Sequence, residues 1–189
     1  IIENVKKEDS ENIFNKLALY LKNDKEECKK INCISLRSTR KDVALKLAMS
    51  YANEHKKTLY VDLGATEESN TSNSIGQYIL ENNQEIQPVK MNDYLDSVSK
   101  NQADEKNIHI VASEKFMQFV NNMSMRYDYI IFNNQDALDN ADAYTVSQLC
   151  DTTFVVCGRK NVTNEMLYNV KNTVDINNIQ IDGVMIYDI

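Results

Sequence analysis

Short apolar runs alternate with helical patterns along most of the chain. Several runs contain consecutive apolar residues rather than a strict alternation, which is typical of strands covered on both faces. Strands that alternate with helices predict an α/β fold with a doubly wound, mostly parallel sheet. The predicted strands are Ile31–Leu36, Thr58–Leu63, Ile108–Ala112, Tyr129–Phe132, Thr153–Cys157 and Gly183–Tyr187.

Apolar residues recur at helical spacing in three places, and we expect each stripe to pack against the sheet. The first stripe precedes the first predicted strand, the second follows it, and the third lies near the end of the chain. The stripes are Phe14, Leu17 and Leu21; Ala44, Leu47, Ala48 and Tyr51; and Met166, Leu167, Val170 and Val174.

Residues 65–107 interrupt the alternation of predicted strands and helices, because they are polar and acidic and contain the single proline, Pro88. Short helices are predicted here at Ile75–Leu80 and Met91–Val98. We interpret the segment as a long excursion between two strands, inside one domain that spans residues 1–189. It either contributes to a ligand site, as loops after strand ends often do, or is a solvated insertion. Because the chain begins at Ile1 without a methionine, we expect it to be part of a longer protein.

Composition narrows the classes of function. The 28 acidic side chains outnumber the 21 basic ones, giving a formal charge of −7, and no basic cluster suited to nucleic acid occurs. No apolar run approaches the roughly 18 residues of a membrane span, so direct membrane insertion is not expected. The four cysteines, Cys28, Cys33, Cys150 and Cys157, match no common zinc spacing. We therefore predict free thiols in a reducing compartment and no metal site.

The order strand, loop, helix and a second strand ending in Asp62 is the layout of a P-loop nucleotide-binding domain. A working loop needs glycines whose backbone N–H groups wrap the phosphates, then Lys, then Ser or Thr for magnesium. The loop would lie between Leu36 and Ala44, and Lys41 stands where its lysine belongs. However, no glycine occurs before Gly64, and Asp42 follows the lysine.

An ordinary helix start explains the same residues more simply. Thr39 followed by Asp42 fits an N-cap with an acid in the first turn, which the helix dipole favours. Asp139 and Asp142 repeat this arrangement before a later helix. We favour the helix start over a phosphate site for Lys41 and Asp42.

Six segments, in order and covering nearly the whole chain, resemble the cytoplasmic catalytic domain of bacterial tyrosine kinases (BY-kinases). That family belongs to the deviant Walker-A ATPase class, together with MinD- and ParA-type proteins, so the resemblance implies a P-loop NTPase-like fold. The six segments are Asn12–Leu21, Ile31–Leu36, Lys56–Gly64, Arg126–Asp136, Asn140–Leu167 and Ile181–Ile189.

The chain departs from the family pattern at the nucleotide motifs. The resemblance makes Lys41, Asp42, Asp62, Gly64 and Asn133 the vestigial nucleotide-site positions. Lys41 alone remains of the Walker A loop, and Asp42 replaces its hydroxyl ligand. Asp62 remains in the second motif, while Gly64 replaces a second aspartate and Asn133 replaces the Walker B aspartate. An amide does not supply the anionic charge that magnesium favours, so we expect no catalytic residue and no cofactor.

Elsewhere the family's first helix carries paired arginines that are used in ring assembly. Asn15 and Ala18 stand at those positions in this chain. By the same resemblance, we expect residues 1–189 not to include the tyrosine-rich tail that the family phosphorylates. We nevertheless expect the first helix, Ile13–Leu21, and the surface around the former nucleotide cleft to be contact sites.

The resemblance therefore implies a pseudokinase, an inactive BY-kinase-like pseudo-ATPase that acts as a regulatory, protein-binding module in capsule or exopolysaccharide synthesis or export. Its expected partner is the cytosolic part of a transmembrane activator or polysaccharide co-polymerase, or a paralogous kinase, and it could also form homo-oligomers. The expected location is cytoplasmic, at the inner face of the cell membrane.

Two alternatives stay open. In the first, the chain is a weakly active, ATP-dependent protein tyrosine kinase that binds Mg-ATP through Lys41 and Asp62, with Asp136 or Asp139 replacing the lost Walker B acid. In the second, it is a degenerate MinD/ParA-like spatial-organiser ATPase.

Overall fold

A computed structural model describes residues 2–5, 10–22, 27–36, 42–64, 74–80, 86–100, 110–134, 138, 141–158 and 160–187. Eight strands within these ranges form one sheet: β1 (Ile2–Val5), β2 (Lys29–Leu36), β3 (Thr58–Asp62), β4 (Val89–Lys90), β5 (Leu95–Ser99), β6 (Tyr129–Asn134), β7 (Thr152–Gly158) and β8 (Gly183–Tyr187). Six helices accompany them: α1 (Ser10–Tyr20), α2 (Asp42–Asn53), α3 (Ile75–Leu80), α4 (Glu114–Ser124), α5 (Ala141–Ser147) and α6 (Asn164–Ile176).

The strand order is β1-β8-β7-β2-β6-β3-β5-β4. Every neighbouring pair is parallel except β4 and β5, which pair antiparallel at one edge. The doubly wound, mostly parallel α/β sheet predicted from the sequence is therefore confirmed.

Successive residues of the central strands enter hydrophobic clusters on opposite faces of the sheet, because side chains alternate along a strand. Tyr129 and Ile131 pack in the cluster that includes α1 and α2, whereas Ile130 and Phe132 pack in the cluster that includes α4. A third cluster joins β7 to α5 and α6. Both faces are thus covered, which explains why the strands read as unbroken apolar runs.

The helical stripes pack as predicted. Phe14, Ala18 and Leu21 of the first helical region join the buried stripe of α2 in one cluster. Tyr51 of this α2 stripe stacks on Tyr129 of β6, with ring centroids 3.8 Å apart. In α6, Val170 is buried, and its neighbours in the stripe are partly buried against the third cluster.

The predicted strand at Ile108–Ala112 is wrong in its described part. Residues 110–112 form a turn that leads into α4, while residues 108 and 109 lie outside the described residues. Ser113 caps α4, because its Oγ accepts a hydrogen bond from the Phe116 N–H at 3.1 Å. Ile110 and Val111 are buried beside this cap, so these two residues fill the core from a turn rather than from a strand.

The predicted helix at Met91–Val98 is also wrong, whereas α3 confirms the one at Ile75–Leu80. Met91 to Tyr94 form the turn of a β4–β5 hairpin, in which the Asn92 Oδ1 accepts from the Tyr94 N–H at 2.9 Å. Leu95 and Val98 are buried in β5. Their spacing of three residues fits a helical stripe, but local hydrogen bonding by Asn92 favours the turn.

Candidate functional site

Asp62 and Asn133 lie side by side where β3 and β6 end, at the carboxyl edge of the sheet. They are direct partners in the parallel register of the two strands. Ligand sites of doubly wound sheets lie at this edge. The structure therefore brings together two of the predicted nucleotide-site positions.

One oxygen of Asp62 accepts two hydrogen bonds from the protein itself. The Asn133 Nδ2 donates to the Asp62 Oδ1 at 3.0 Å, and the Gly64 backbone N–H donates to the same oxygen at 3.0 Å. A backbone bond from the Leu63 N–H to the Asn133 carbonyl, at 2.9 Å, ties the two strand ends together. Asn133 and Gly64 are buried, and Asp62 is half-buried. Both of these donors are neutral groups.

This arrangement differs chemically from a pair of strand-end aspartates. Two carboxylates at this separation repel each other unless a cation or a shared proton lies between them. An amide in place of the second acid removes that repulsion and donates a hydrogen bond to the remaining carboxylate. Asp62 and Asn133 are thus joined by a hydrogen bond at a place where two carboxylates would repel each other.

Tyr60 lies two residues before Asp62 in β3 and therefore on the same face of the sheet. Its pKa is raised well above the ordinary value, first because the phenol is buried and then because of the nearby Asp62 charge. A hydrogen bond with Asn133 opposes the shift. Tyr60 is therefore neutral at physiological pH and is not available as a proton acceptor here.

A charged pair that the sequence analysis does not predict lies at the same edge of the sheet. The Lys100 Nζ lies 3.5 Å from the Asp142 Oδ2, and the two side chains are only 11% and 16% exposed. The Lys100 backbone N–H also donates to the Asp62 carbonyl at 2.8 Å, which places this lysine next to the strand end. A basic residue directly after β5 is the available signal, but the helix predicted at Met91–Val98 hides the end of this strand.

A buried amide network lies behind the strand ends. The Asn32 Nδ2 of β2 donates to the Ala143 carbonyl at 3.0 Å and to the Ser147 Oγ at 2.9 Å, both in α5. The Asn134 Nδ2 donates to the Asn32 Oδ1. This network joins β2, β6 and α5 and holds the end of β6, including Asn133, in place.

Several predicted positions lie outside the described residues: Thr39, Lys41, Asp136 and Asp139. Asp42 is the first residue of α2, but its side chain is not described. The choice between a helix start and a phosphate site at Lys41 and Asp42 therefore stays a prediction.

The two first-helix positions differ from each other. Ala18 is buried at 1% exposure between α1 and α2, whereas Asn15 is exposed. Position 18 therefore belongs to the core here and does not contribute to the outer surface of α1 that was expected to form contacts.

Within the described part of the chain, no group of three or more His, Cys, Asp or Glu side chains could hold a metal ion. In the same ranges, no helix combines the length and the apolar character needed to cross a bilayer.

The chain matches no family model, and no curated protein is detectably similar in sequence. Its fold is nevertheless similar to solved structures. The chimerical protein CapA2B2 has 16% sequence identity and a TM-score of 0.79, over 100% of this chain and 94% of that one. The kinase domain of the Escherichia coli tyrosine kinase ETK has 16% identity and a TM-score of 0.78, over 96% and 75%.

A ParA family ATPase from Chlorobium tepidum has the same identity, 16%, but a lower TM-score of 0.61, over 85% of this chain and 73% of that one. At such identities the similarity shows the fold. The chain therefore has the P-loop NTPase-like fold of bacterial tyrosine kinase domains, which ParA-type ATPases share in a less similar form.

Proposed function

We propose that the chain is a catalytically inactive, BY-kinase-like pseudo-ATPase that acts as a regulatory, protein-binding module. The observation that carries the proposal is the contact between Asp62 and Asn133. An amide donates to the carboxylate at the place where the family's chemistry needs two acids to organise magnesium.

The loss of acids bears directly on phosphoryl transfer. That reaction depends on positioning and on neutralising the charge that spreads over the transferred group. Gly64 offers only a backbone N–H to Asp62, so neither it nor Asn133 adds an anionic ligand beside that carboxylate. This supports a site that keeps the fold without the metal-dependent step.

By the resemblance, the setting is the cytoplasmic face of a membrane complex that makes or exports capsule or exopolysaccharide. The partner is the cytosolic part of a transmembrane activator or co-polymerase, or a paralogous tyrosine kinase. Such a module would act by occupying a binding position without transferring phosphate.

The test is titration calorimetry of ATP and ADP with MgCl₂ on the purified chain. We expect no binding heat at about millimolar nucleotide, the range of the weakest specific sites. Binding in the micromolar range would contradict the proposal and favour the weakly active kinase.

A matched pair of variants identifies the site of any residual heat. Asp62→Asn removes the charge of the strand-end carboxylate, whereas Asp175→Asn removes an exposed carboxylate on α6 that pairs with Lys171. Heat that disappears only in Asp62→Asn would place a nucleotide at the former site and overturn the inactive assignment. A paralogous kinase titrated with the chain then tests the regulatory role, with a change in its autophosphorylation rate as the expected result.

A further inference from the structure

A cleft opens at the amino edge of the sheet, opposite the edge that carries Asp62. Its volume is about 320 Å³. The residues that line it lie just before, or at the start of, the strands β3, β5 and β6: Lys57, Asp93, Tyr94, Asp96, Met125, Arg126 and Tyr127. Since β3 contains five residues, the cleft lies about 17 Å from the Asp62 edge along the strand. It is therefore separate from the former nucleotide site.

The carboxylates of this cleft already have partners in the protein. The Asp96 Oδ2 accepts a hydrogen bond from the Tyr127 hydroxyl at 2.7 Å. The Asp93 Oδ1 lies 2.9 Å from the Lys90 Nζ, and that hydrogen bond and charge lower the pKa of Asp93.

The two cations of the cleft, unlike its carboxylates, have no such partner among the described residues. Among the described residues, no hydrogen bond or ion pair is made by the Lys57 ammonium or by the Arg126 guanidinium. The Asp128 carboxylate next to Arg126 accepts instead from the Lys57 backbone N–H, at 2.8 Å. Within the described ranges, the cleft thus offers two unpaired cations beside carboxylates that already accept or share a bond.

The walls of the cleft supply an apolar surface. Met125 is 80% exposed and Tyr94 is 37% exposed. The Tyr94 ring is held by an edge contact with His55, with centroids 4.9 Å apart. A guanidinium and an ammonium next to a thioether and an aromatic ring match a ligand that carries an oxyanion at one end and an apolar group at the other.

We propose that this cleft is a binding site for a small molecule with a carboxylate or phosphate group attached to an apolar or aromatic body. Arg126 and Lys57 bind the oxyanion, and Tyr94 and Met125 contact the apolar body. The volume is at the lower end of the range for small-molecule sites, which begins at about 300 Å³.

The test uses amide NMR of the whole chain with four probes: phenylacetate, its uncharged isostere phenylacetamide, phenyl phosphate and inorganic phosphate. We expect phenylacetate or phenyl phosphate to shift the signals of Lys57, Tyr94 and Arg126, with a dissociation constant of about 1 mM for so small a probe. Which of the two binds more tightly identifies the oxyanion. Equal binding of phenylacetamide would overturn the proposal, and so would a response to inorganic phosphate as strong as that to phenyl phosphate.

The variants assign the binding to residues. Arg126→Gln and Lys57→Gln each should weaken binding of the better probe about tenfold, the effect of losing one charge-assisted hydrogen bond. Lys160→Gln makes the same change of charge in an exposed turn after β7 and should leave binding unchanged. An equal loss in all three variants, no response at about 10 mM probe, or shifts confined to the Asp62 edge would each overturn the proposed site.

Discussion

The two edges of the sheet differ in whether their described charged side chains have partners within the protein. At the carboxyl edge, Asp62 is matched by an amide and a backbone N–H, and Lys100 is matched by Asp142. At the amino edge, Lys57 and Arg126 line a cleft whose carboxylates are already paired elsewhere. A binding site needs groups that exchange water for ligand. Among the described residues, charged groups are paired at the carboxyl edge and two cations are unpaired at the amino edge, so we expect the ligand at the amino edge.

Breaking the buried network behind the carboxyl edge should have the largest effect on stability. Asn32→Ala removes the partner of Asn134 and leaves the Ser147 hydroxyl and the Ala143 carbonyl without this donor. We expect a loss of about 2–4 kcal/mol in the free energy of unfolding, because the buried Asn134 amide loses its acceptor and a cavity replaces the Asn32 side chain, while Ser147 keeps its own bond to the Ala143 carbonyl.

Urea denaturation measures this loss, and Asn122→Ala provides the control. Asn122 is exposed on α4, and its replacement should change the free energy by less than about 0.5 kcal/mol. Similar effects of the two substitutions would mean that the network does not hold the end of β6.

Asn133→Asp tests the internal pairing at the carboxyl edge directly. It replaces the donor that lies 3.0 Å from the Asp62 Oδ1 with a second carboxylate. We expect a loss of about 1–3 kcal/mol at pH 7, because two adjacent carboxylates are not readily both charged.

The pH dependence of this variant has a definite sign. The folded carboxyl pair retains a proton that the unfolded chain releases near pH 4, so its effective pKa is raised by folding. Stability of Asn133→Asp relative to the original chain should therefore be recovered as pH falls toward 4 and lost as pH rises. Unfolding midpoints at pH 4.5 and pH 7, with and without MgCl₂, check this. A deficit that ignores both pH and magnesium would show that the carboxylates do not face each other.

More of the fold than of the candidate site could be predicted from the sequence. The central strands and the stripes of α1, α2 and α6 were predictable because burial on both faces makes continuous apolar runs and regular stripes. β5 was missed because Leu95 and Val98 have helical spacing, while Asn92 and the preceding hairpin determine its conformation. α4 had a readable signal, with Ser113 followed by Phe116, Phe119, Val120 and Met123 at helical spacing.

Within the candidate site, pattern and motif reasoning identified the positions of Asp62 and Asn133 but not the bond between them. That bond depends on the parallel register of β3 and β6, which a single sequence does not specify. The amino-edge cleft had no sequence signal, because Lys57, Tyr94 and Arg126 come from three separate turns that only the assembled sheet brings together.

Tyr127→Phe alters the amino edge by a smaller amount. It removes the hydroxyl that donates to Asp96 and should lower the free energy of unfolding by about 1 kcal/mol near neutral pH. Phenylacetate binding should weaken as well, because the Asp96 charge is then less compensated beside Arg126.

The stability difference between Tyr127→Phe and the original chain should also shrink above pH 10. Burial, followed by the hydrogen bond to Asp96, raises the pKa of Tyr127, so the folded phenol keeps a proton that the unfolded chain releases. Its stabilising contribution is thus present below pH 10 and is lost above it. Urea denaturation at pH 8 and pH 10.5 measures the trend, and a difference that grows with pH would contradict it.

His55→Gly should have the smallest effect on stability. It tests whether the ring contact of His55 with Tyr94 supports ligand binding, apart from any relief of backbone strain. His55 adopts a φ of 60° after α2, where the Lys56 N–H bonds to the Tyr51 carbonyl at 3.1 Å. Glycine adopts this conformation without the steric cost of a Cβ, a gain of up to about 1 kcal/mol that the lost ring contact with Tyr94 offsets in part.

Asn178→Gly is the matched control for His55→Gly, because Asn178 has a φ of 51° at the equivalent position after α6 and lies away from the cleft. Both variants should be as stable as the original chain or slightly more so by thermal unfolding. Only His55→Gly should weaken phenylacetate binding, since it releases the Tyr94 ring that forms one wall of the cleft. Unchanged binding in His55→Gly would mean that Tyr94 needs no support from His55, and equal weakening in both would assign the effect to the backbone rather than to the cleft.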